Sequence, residues 1–314
     1  MDLHNANHIE VKSSSIFSPM VTEKKDLSIL KIPLISFGIF IVIGLIVWAL
    51  RDIRYFYLFS GIGFMDSNTR ILILYFPKLR QILRLSVQCI VGFFLLFWLG
   101  IAKGVNFQFS EIFFDAYSGV VTGALIQLIV ARLILPFFLG NAFCSRACWT
   151  GFFFEMTNTK KTDKKKIKPR SNLLAWSYLI GLIALSFFVA YLWDPGNNEA
   201  YRKGWIIGEN IIITALGFGL SFLVGSRAYC RLLCPFITIS GLIAPLSMFK
   251  ITPIQSNKCT NCNLCNKNCP MLIDVHQYVI DKKRVNDSTC IVCERCISAC
   301  KVNVLKLTTK DQLS

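Results

Sequence analysis

The chain has 314 residues, of which 54% are hydrophobic and only 17% are charged, and its mean hydropathy is +0.53. So few charges cannot cover the surface of a soluble protein of this length, and so apolar a chain is not intrinsically disordered. The net charge of +16 is explained by membrane topology without a nucleic-acid partner, because Lys and Arg collect on the cytoplasmic side of membrane proteins. We therefore expect an integral membrane protein with a small soluble part.

The apolar residues are grouped into segments of membrane-spanning length that follow a polar, mobile N-terminal tail at residues 1–31. Five segments have the length and low charge of spanning helices: 32–50, 85–102, 118–139, 173–193 and 206–225. Segment 54–76 carries five polar residues in its middle, which are costly at the bilayer centre. We expect that segment to form two short interfacial or re-entrant pieces.

The distribution of basic residues predicts the orientation. The loop 51–84 contains six Lys or Arg residues, the loop 140–172 contains eight, and the region after Gly225 contains twelve. The positive-inside rule places these regions on the cytoplasmic side of a bacterial inner membrane. Five spans then leave the N-terminus outside, whereas a sixth span within 54–76 would bring it inside.

The cysteines carry the strongest functional signal. Two runs have the spacing C-x2-C-x2-C-x3-C, which is that of bacterial ferredoxins: Cys259, Cys262, Cys265, Cys269 and then Cys290, Cys293, Cys296, Cys300. In this motif three thiolates bind one [4Fe–4S] cluster and the fourth binds the other cluster. We therefore predict one cluster on Cys259, Cys262, Cys265 and Cys300, and a second on Cys290, Cys293, Cys296 and Cys269.

Structural zinc sites are the alternative for these eight cysteines. Four-cysteine zinc sites usually join two CxxC pairs across a longer spacer, which fits two complete ferredoxin runs poorly. Cluster insertion also needs reduced thiols, in agreement with a cytoplasmic location.

Four further cysteines form two C-x3-C pairs, Cys144/Cys148 and Cys230/Cys234. A spacing of four places both thiols of a pair on one face of a helix end. Together they are candidates for an additional iron–sulfur cluster, a mononuclear metal site or a redox-active dithiol. The alternative is four unrelated buried cysteines. The surrounding residues 142–148 and 228–234 are similar, which favours a shared role and indicates two parallel repeats.

These motifs, in this order, resemble the membrane polyferredoxin family. The resemblance covers roughly residues 80–306 and includes the sequence from Ser226 to Pro235 that holds the second pair. That family includes the accessory membrane ferredoxins of periplasmic nitrate reductase and nitrous-oxide reductase, and proteins of cytochrome oxidase assembly. Its paired motif is C-x3-C-P; Pro235 keeps the proline, and Trp149 replaces it in the first copy. The resemblance implies electron transfer to or from a partner redox protein.

Other residues narrow the function. No histidine lies in a predicted span, which excludes a bis-histidine haem in the membrane, and no nucleotide-binding motif occurs. Arg132 lies inside the third span and is expected to extend to the nearby interface, or else to hold a quinone or compensate the thiolates of Cys144 and Cys148. Glu209 and Asn210 suggest either a proton path or an interfacial position.

We thus predict an all-α transmembrane bundle of about five spans at 32–249. It is followed by a small α+β domain at 250–314, which by its resemblance to bacterial ferredoxins holds two [4Fe–4S] clusters. The predicted function is membrane-anchored electron transfer to or from a partner oxidoreductase, with a quinone or a soluble ferredoxin or flavodoxin as candidate donors. Alternatives are a maturation factor that reduces a metal or thiol for a partner metalloenzyme, and a redox-sensing regulator.

Overall fold

The computed structural model describes residues 30–50, 53–102, 108–119, 123–157, 171–193 and 198–309. The predicted tail, apart from its last two residues, and the lysine-rich stretch at 160–168 lie outside these ranges. The helices are α1 (Lys31–Leu50), α2 (Ile53–Tyr75), α3 (Arg80–Phe93), α4 (Phe109–Ser118), α5 (Gly123–Gln127), α6 (Leu135–Leu139), α7 (Ala142–Arg146), α8 (Trp149–Met156), α9 (Ser171–Trp193), α10 (Glu199–Val224), α11 (Ala228–Leu232), α12 (Pro235–Ile243), α13 (Leu264–Lys267), α14 (Val275–Ile280) and α15 (Arg295–Ala299).

Within the described ranges, four helical segments are long and apolar enough to cross a membrane: Pro33–Leu50, Pro77–Trp98, Leu173–Trp193 and Ala200–Val224. The remaining predicted span corresponds to a shorter apolar helix, Ala124–Leu139, whose middle at Leu128–Ile134 is wound as a π-helix. The architecture is therefore mostly helical, and the number of five spans stays a prediction.

The expected break within 54–76 is wrong, because this segment forms one continuous helix, α2, which packs antiparallel against α1. Close contact is possible where α2 carries Gly63, since a Cβ there would lie 2.5 Å from Cβ of Phe40. The polar groups find partners inside the hairpin. Ser36 donates to Asp66 at 3.0 Å, and Arg70 Nε donates to the same carboxylate at 2.7 Å. The break was expected because unpaired polar groups are costly to bury. Hydrogen bonds and ion pairs offset that free-energy cost here, so the helix can continue.

The C-terminal region contains the only strands in the described ranges, β1 (Lys250–Pro253) and β2 (Leu305–Thr308). They pair antiparallel, with Lys250 opposite Thr308 and Pro253 opposite Leu305. The two ferredoxin runs and helices α13–α15 lie between the strands in the chain. Hydrogen bonds attach the start of this region to the membrane helices. The N–H groups of Met248 and Phe249 donate to the carbonyls of Phe137 and Phe138 at the end of α6.

A buried ionic contact joins the ferredoxin region to the α1–α2 hairpin. Glu294, in the second cysteine run, accepts from Arg146 Nη2 at 2.7 Å. Arg146 also donates to Asp66 at 2.9 Å through Nη1. Arg146 therefore bridges two carboxylates from separate parts of the chain, and its side chain is only 7% exposed.

A second buried network is centred on Glu155 of α8. Arg227 donates to its Oε2 at 2.6 Å, Arg84 of α3 pairs with Oε1, and Arg295 of the ferredoxin region approaches to 3.7 Å. Burial alone would raise the pKa of Glu155, but Arg227 and Arg84 outweigh it and lower the pKa from 4.5 to about 2. Glu155 is thus an ionised counter-ion for two fully buried arginines.

We expect Glu155→Gln to destabilise the protein by about 3–5 kcal/mol, because it leaves Arg84 and Arg227 buried without a counter-ion. Thermal unfolding in detergent, followed by tryptophan fluorescence, measures the change. The pKa of Glu155 is lowered on folding, so its contribution is present above pH 4.5 and is lost as the pH falls toward about 2. The exposed control Asp281→Asn should leave the unfolding temperature unchanged. Equal unfolding temperatures for the two variants would contradict the assignment.

Candidate iron–sulfur sites

Four predicted ligands lie around one cavity at the surface of the ferredoxin region. The exposed ferredoxin cavity, of about 350 Å³, is lined by Cys259, Cys262, Cys265 and Cys300. Cys300 comes from the second run, so the structure brings it to the first run as the motif predicts. Cys262 is solvent-exposed, and Thr260, Asn263 and His276 share the lining. This cavity is the more polar and accessible of the two in this region.

The other four predicted ligands line a separate cavity. The buried ferredoxin cavity, of about 360 Å³, is formed by Cys269, Cys290, Cys293 and Cys296. Its remaining lining is mostly apolar and includes Ile251, Met271 and Ile291. Cys293 and Cys296 are buried. A group bound here is shielded from water, unlike one in the exposed ferredoxin cavity.

The two runs have the same backbone conformation. Asn261 and Asn263 have positive φ angles of 53° and 58°, and the equivalent Val292 and Glu294 have 50° and 60°. A β-branched residue such as Val292 rarely adopts this left-handed conformation. Each run thus forms the same sequence of tight turns, which directs three successive thiols into one cavity.

The thiol chemistry fits iron ligation. Burial raises the pKa of Cys269 to about 12, so its thiolate requires a nearby positive charge such as that of iron. Backbone N–H groups already point at several sulfurs. The N–H of Val304 donates to Cys300 Sγ at 3.4 Å, and the Leu264 amide lowers the pKa of exposed Cys262. Amide donors to sulfur are among the interactions that tune cluster potentials.

The two C-x3-C pairs meet at a third cavity. The membrane cysteine cavity, of about 730 Å³, is lined by all four paired cysteines: Cys144, Cys148, Cys230 and Cys234. Arg132, Glu209 and Asn210 also line it, and Trp149 Nε1 donates to Asn210 at 3.0 Å. Residues separated by 86 positions in the chain therefore share one site.

The two pairs have the same local structure. In each, a five-residue helix precedes the second cysteine, and that cysteine is the N-cap of the next helix: Cys148 precedes α8 and Cys234 precedes α12. The N–H of Cys148 donates to the carbonyl of Phe143 at 3.1 Å, and that of Cys234 to Tyr229 at 3.0 Å. The matching hydrogen bonds establish that the motif is repeated in structure as well as in sequence.

Arg132 does not extend to the interface, so that expectation is wrong. The side chain is 3% exposed, and its Nη1 lies 3.0 Å from Cys144 Sγ. Its guanidinium lies 4.6 Å from the ring centre of Phe143 and 4.3 Å from that of Phe236. Burial raises the pKa of the Cys144 thiol, and Arg132 acts in the opposite direction. No carboxylate pairs with Arg132 in the described part of the chain, so the Cys144 sulfur is the nearest group that could become its anionic partner.

Helix α3 connects the ferredoxin region to the membrane cysteine cavity. Gln81 Nε2 donates to the carbonyl of Cys293 at 3.3 Å. One turn further, Arg84 Nη1 donates to the carbonyl of Ser145 at 2.9 Å. Arg84 also donates to Gln81 Oε1 at 3.2 Å, so the side chains form a continuous series.

Gln88 completes this series at the first cysteine pair. Its Nε2 donates to the carbonyl of Cys148 at 2.9 Å and approaches that of Cys144 at 3.3 Å. Gln81, Arg84 and Gln88 lie on one helix face. By the positive-inside rule Arg84 is only a topological charge. Its spacing from Gln81 and Gln88 is the sequence signal for a buried polar face.

Among the described residues, no three His, Cys, Asp or Glu side chains are grouped closely enough to hold a single metal ion. This applies equally to the eight ferredoxin cysteines and the four paired ones. In a cubane each thiolate binds its own iron, so the ligands stand farther apart than those of one ion.

Two known families match the chain. A 4Fe-4S dicluster domain matches residues 252–301, and a 4Fe-4S binding domain matches twice, at 121–168 and 207–253. The second family covers each C-x3-C pair separately, which confirms the internal repeat. No solved structure matches the chain.

Several curated proteins are similar. The uncharacterized protein MJ0750 of Methanocaldococcus jannaschii is 30% identical over 204 residues, or 59% of this chain and 79% of the relative. The methylamine utilization ferredoxin-type protein MauN of Methylorubrum extorquens is 28% identical over 269 residues, or 75% and 88%. The ferredoxin-type protein NapH of Escherichia coli is 26% identical over 199 residues, or 60% and 68%.

The chain thus belongs to the polyferredoxin family of membrane ferredoxin-type proteins. It binds [4Fe–4S] clusters and takes part in membrane-associated electron transfer.

The exchange of the fourth ligands can be tested by matched substitutions. We expect Cys300→Ser to give the same EPR spectrum as Cys259→Ser, because both remove the cluster of the exposed ferredoxin cavity. Cys269→Ser should instead match Cys293→Ser. Each loses about four irons per chain, and the isolated Cys89→Ser is the control that loses none.

The remaining cluster should also differ in its contact with water. A soluble paramagnetic relaxer should broaden the signal that survives in Cys269→Ser much more than the one in Cys300→Ser. A match between Cys300→Ser and Cys293→Ser would show that the fourth ligands are not exchanged.

Proposed function

We propose that this chain moves electrons between solvent and membrane through three centres in series. Two are [4Fe–4S] clusters on the cysteine quartets of the exposed and buried ferredoxin cavities. The third is an iron–sulfur centre on the four paired cysteines. The observation that carries the proposal is the convergence of twelve cysteines on three cavities, four to each.

The contacts support an order among the centres. The exposed ferredoxin cavity is open to solvent at Cys262. The buried ferredoxin cavity lies next to the membrane domain, since Gln81 of α3 contacts the carbonyl of Cys293. The same face of α3 reaches the carbonyls of Cys144 and Cys148. The buried ferredoxin cluster is therefore the intermediate between the exposed cluster and the membrane cysteine centre.

The membrane cysteine cavity suits an anionic iron–sulfur centre. Thiolates select iron–sulfur clusters and other soft metals, and a cluster with four thiolate ligands carries negative charge. Arg132 supplies a buried cation 3.0 Å from Cys144 Sγ. Arg227, which is fully buried, donates to the carbonyl of Cys144 at 3.1 Å. These two cations would stabilise the centre's charge in a low-dielectric site.

Two classes of redox partner fit the two ends of this series. A soluble ferredoxin or flavodoxin would meet the exposed cluster, where Lys258, Lys267 and Lys301 are exposed and attract acidic proteins. A quinone is the candidate on the membrane side. An apolar cavity lined by α1–α3 and the 126–147 region shares Phe143 with the membrane cysteine cavity.

The orientation proposed is that of the positive-inside rule, with the ferredoxin domain at 250–314 on the cytoplasmic side of a bacterial inner membrane. We expect protease to remove this domain from inverted membrane vesicles and to leave it intact in spheroplasts. Cleavage in spheroplasts alone would reverse the orientation.

Metal content tests the three-centre proposal. We expect about twelve irons and twelve acid-labile sulfides per chain in anaerobically purified protein, against about eight in Cys144→Ser/Cys230→Ser. EPR after reduction should show that the double variant keeps both ferredoxin signals. Cys89→Ser, which alters a cysteine outside all three cavities, should keep all twelve irons.

About eight irons in both proteins would confine the clusters to the ferredoxin domain and overturn the third centre. A metal at the paired cysteines that a mild chelator removes reversibly would favour the maturation role. Zinc in place of iron at all sites would contradict the electron-transfer function.

A further inference from the structure

A half-buried carboxylate, Glu209 of α10, shares the membrane cysteine cavity with the four paired cysteines. Ser110 of α4 donates a hydrogen bond to its Oε2. Trp205 Nε1 donates to the same oxygen at 2.9 Å. Both hydrogen bonds come from neutral groups, and Oε1 receives none from the described residues. Glu209 is held in position without a compensating charge.

The fully buried carboxylates of the described chain are different from Glu209. Asp66 pairs with Arg70 and Arg146, and Glu155 pairs with Arg84 and Arg227. On α4, next to Ser110, Glu111 pairs with Arg202 at 2.9 Å. The described part of the chain gives Glu209 no such ion pair. A partly desolvated carboxylate with no paired cation takes up a proton more readily than an ion-paired one.

The groups around Glu209 determine what controls that proton. From α4, Glu111 and Asp115 are already engaged with Arg202. Arg132, Arg227 and the four thiols line the same cavity. From α9, Tyr178 forms a hydroxyl pair with Tyr229 at 3.4 Å. The arginines keep their charge, so the variable charge in this cavity is that of the cysteine centre.

We propose that Glu209 is the charge-compensating proton acceptor of the membrane cysteine centre. When the centre accepts one electron from the buried ferredoxin cluster, the Glu209 carboxylate takes one proton from water and becomes a neutral carboxylic acid. When the electron leaves, the proton returns to water. Each cycle therefore adds and removes one electron and one proton, and the net charge of the cavity stays constant. Glu209 acts by charge, not as a ligand.

This inference rests on the proposed third centre and adds a coupling to it. Because linkage is reciprocal, a proton that binds more tightly to the reduced state must raise the reduction potential as the pH falls. The two ferredoxin clusters are bound outside the cavity that holds Glu209. Their potentials should not follow the protonation of this carboxylate.

EPR-monitored redox titrations of the full-length protein over a series of pH values test the coupling. In wild type, the midpoint potential of the membrane cysteine centre should fall as the pH rises, and in Glu209→Gln it should be independent of pH. Glu209→Asp, which keeps the carboxyl group, should restore the dependence. The matched control is Glu111→Gln, which removes a buried carboxylate of α4 that does not line the cavity and should leave the dependence intact.

A second variant keeps the test decisive if Glu209→Gln fails to fold. Ser110→Ala retains the carboxylate but removes one donor to Oε2, so the pH dependence should shift to higher pH. The role of Glu209 would be overturned if the midpoint potential of the membrane cysteine centre did not depend on pH in wild type. It would also be overturned if wild type and Glu209→Gln showed the same pH dependence. Neither result would contradict the third centre itself. Absence of any third redox signal at all would overturn both proposals.

Discussion

The arrangement of this protein depends on the pairing of buried arginines with two carboxylates, Glu155 and Glu294. Glu294 belongs to the second cysteine run and binds Arg146. Glu155 belongs to the membrane domain and is approached by Arg295 of the ferredoxin region. Charges buried in this way are costly unless they are paired. The pairing therefore fixes how the ferredoxin region sits against the membrane helices.

That fixed contact gives the two ferredoxin cavities different environments although their sequences repeat. One remains open to solvent at Cys262, whereas the other, around Cys293 and Cys296, is buried. Clusters with the same ligands differ in potential when solvent exposure and hydrogen bonding differ. In the proposed series, the difference in burial, more than the ligand set, assigns partner exchange to one cavity and internal relay to the other.

Helix α3 links the ferredoxin region to the paired cysteines of the membrane helices. Its polar face holds the backbone of Cys293 on one side and those of Cys144 and Cys148 on the other. Hydrogen-bonded backbone and side-chain groups thus link two of the three cysteine cavities directly. The membrane helices hold the four paired cysteines next to the ferredoxin domain, in addition to anchoring the protein.

Cysteine spacing predicted the two ferredoxin quartets and the pairing of the C-x3-C motifs, because ligand geometry is encoded locally. Hydropathy likewise locates the long apolar helices, because each is a continuous stretch of sequence. The roles of the buried arginines were not predictable in this way. From sequence alone Arg84 and Arg146 are loop charges, because the carboxylates that pair with them lie 71 and 80 residues away. Arg132 differs, because its partner Cys144 is only 12 residues away but lies beyond the end of the helix.

The continuous helix α2 illustrates the same limit. Asp66 and Arg70 made a break plausible while their partners were unknown. The partners, Ser36 on α1 and Arg146 on α7, lie 30 and 80 residues from Asp66. Composition indicates that burying a charge costs free energy, but only the fold shows whether the charge has a hydrogen-bond or ion-pair partner.

The most direct test of the account is a cryo-EM map of the anaerobically purified protein. We expect three compact, strongly scattering densities, one within each cysteine quartet, with the density of the buried ferredoxin cavity between the other two. Two densities confined to the ferredoxin domain, with Cys144, Cys148, Cys230 and Cys234 packed as free thiols, would contradict it.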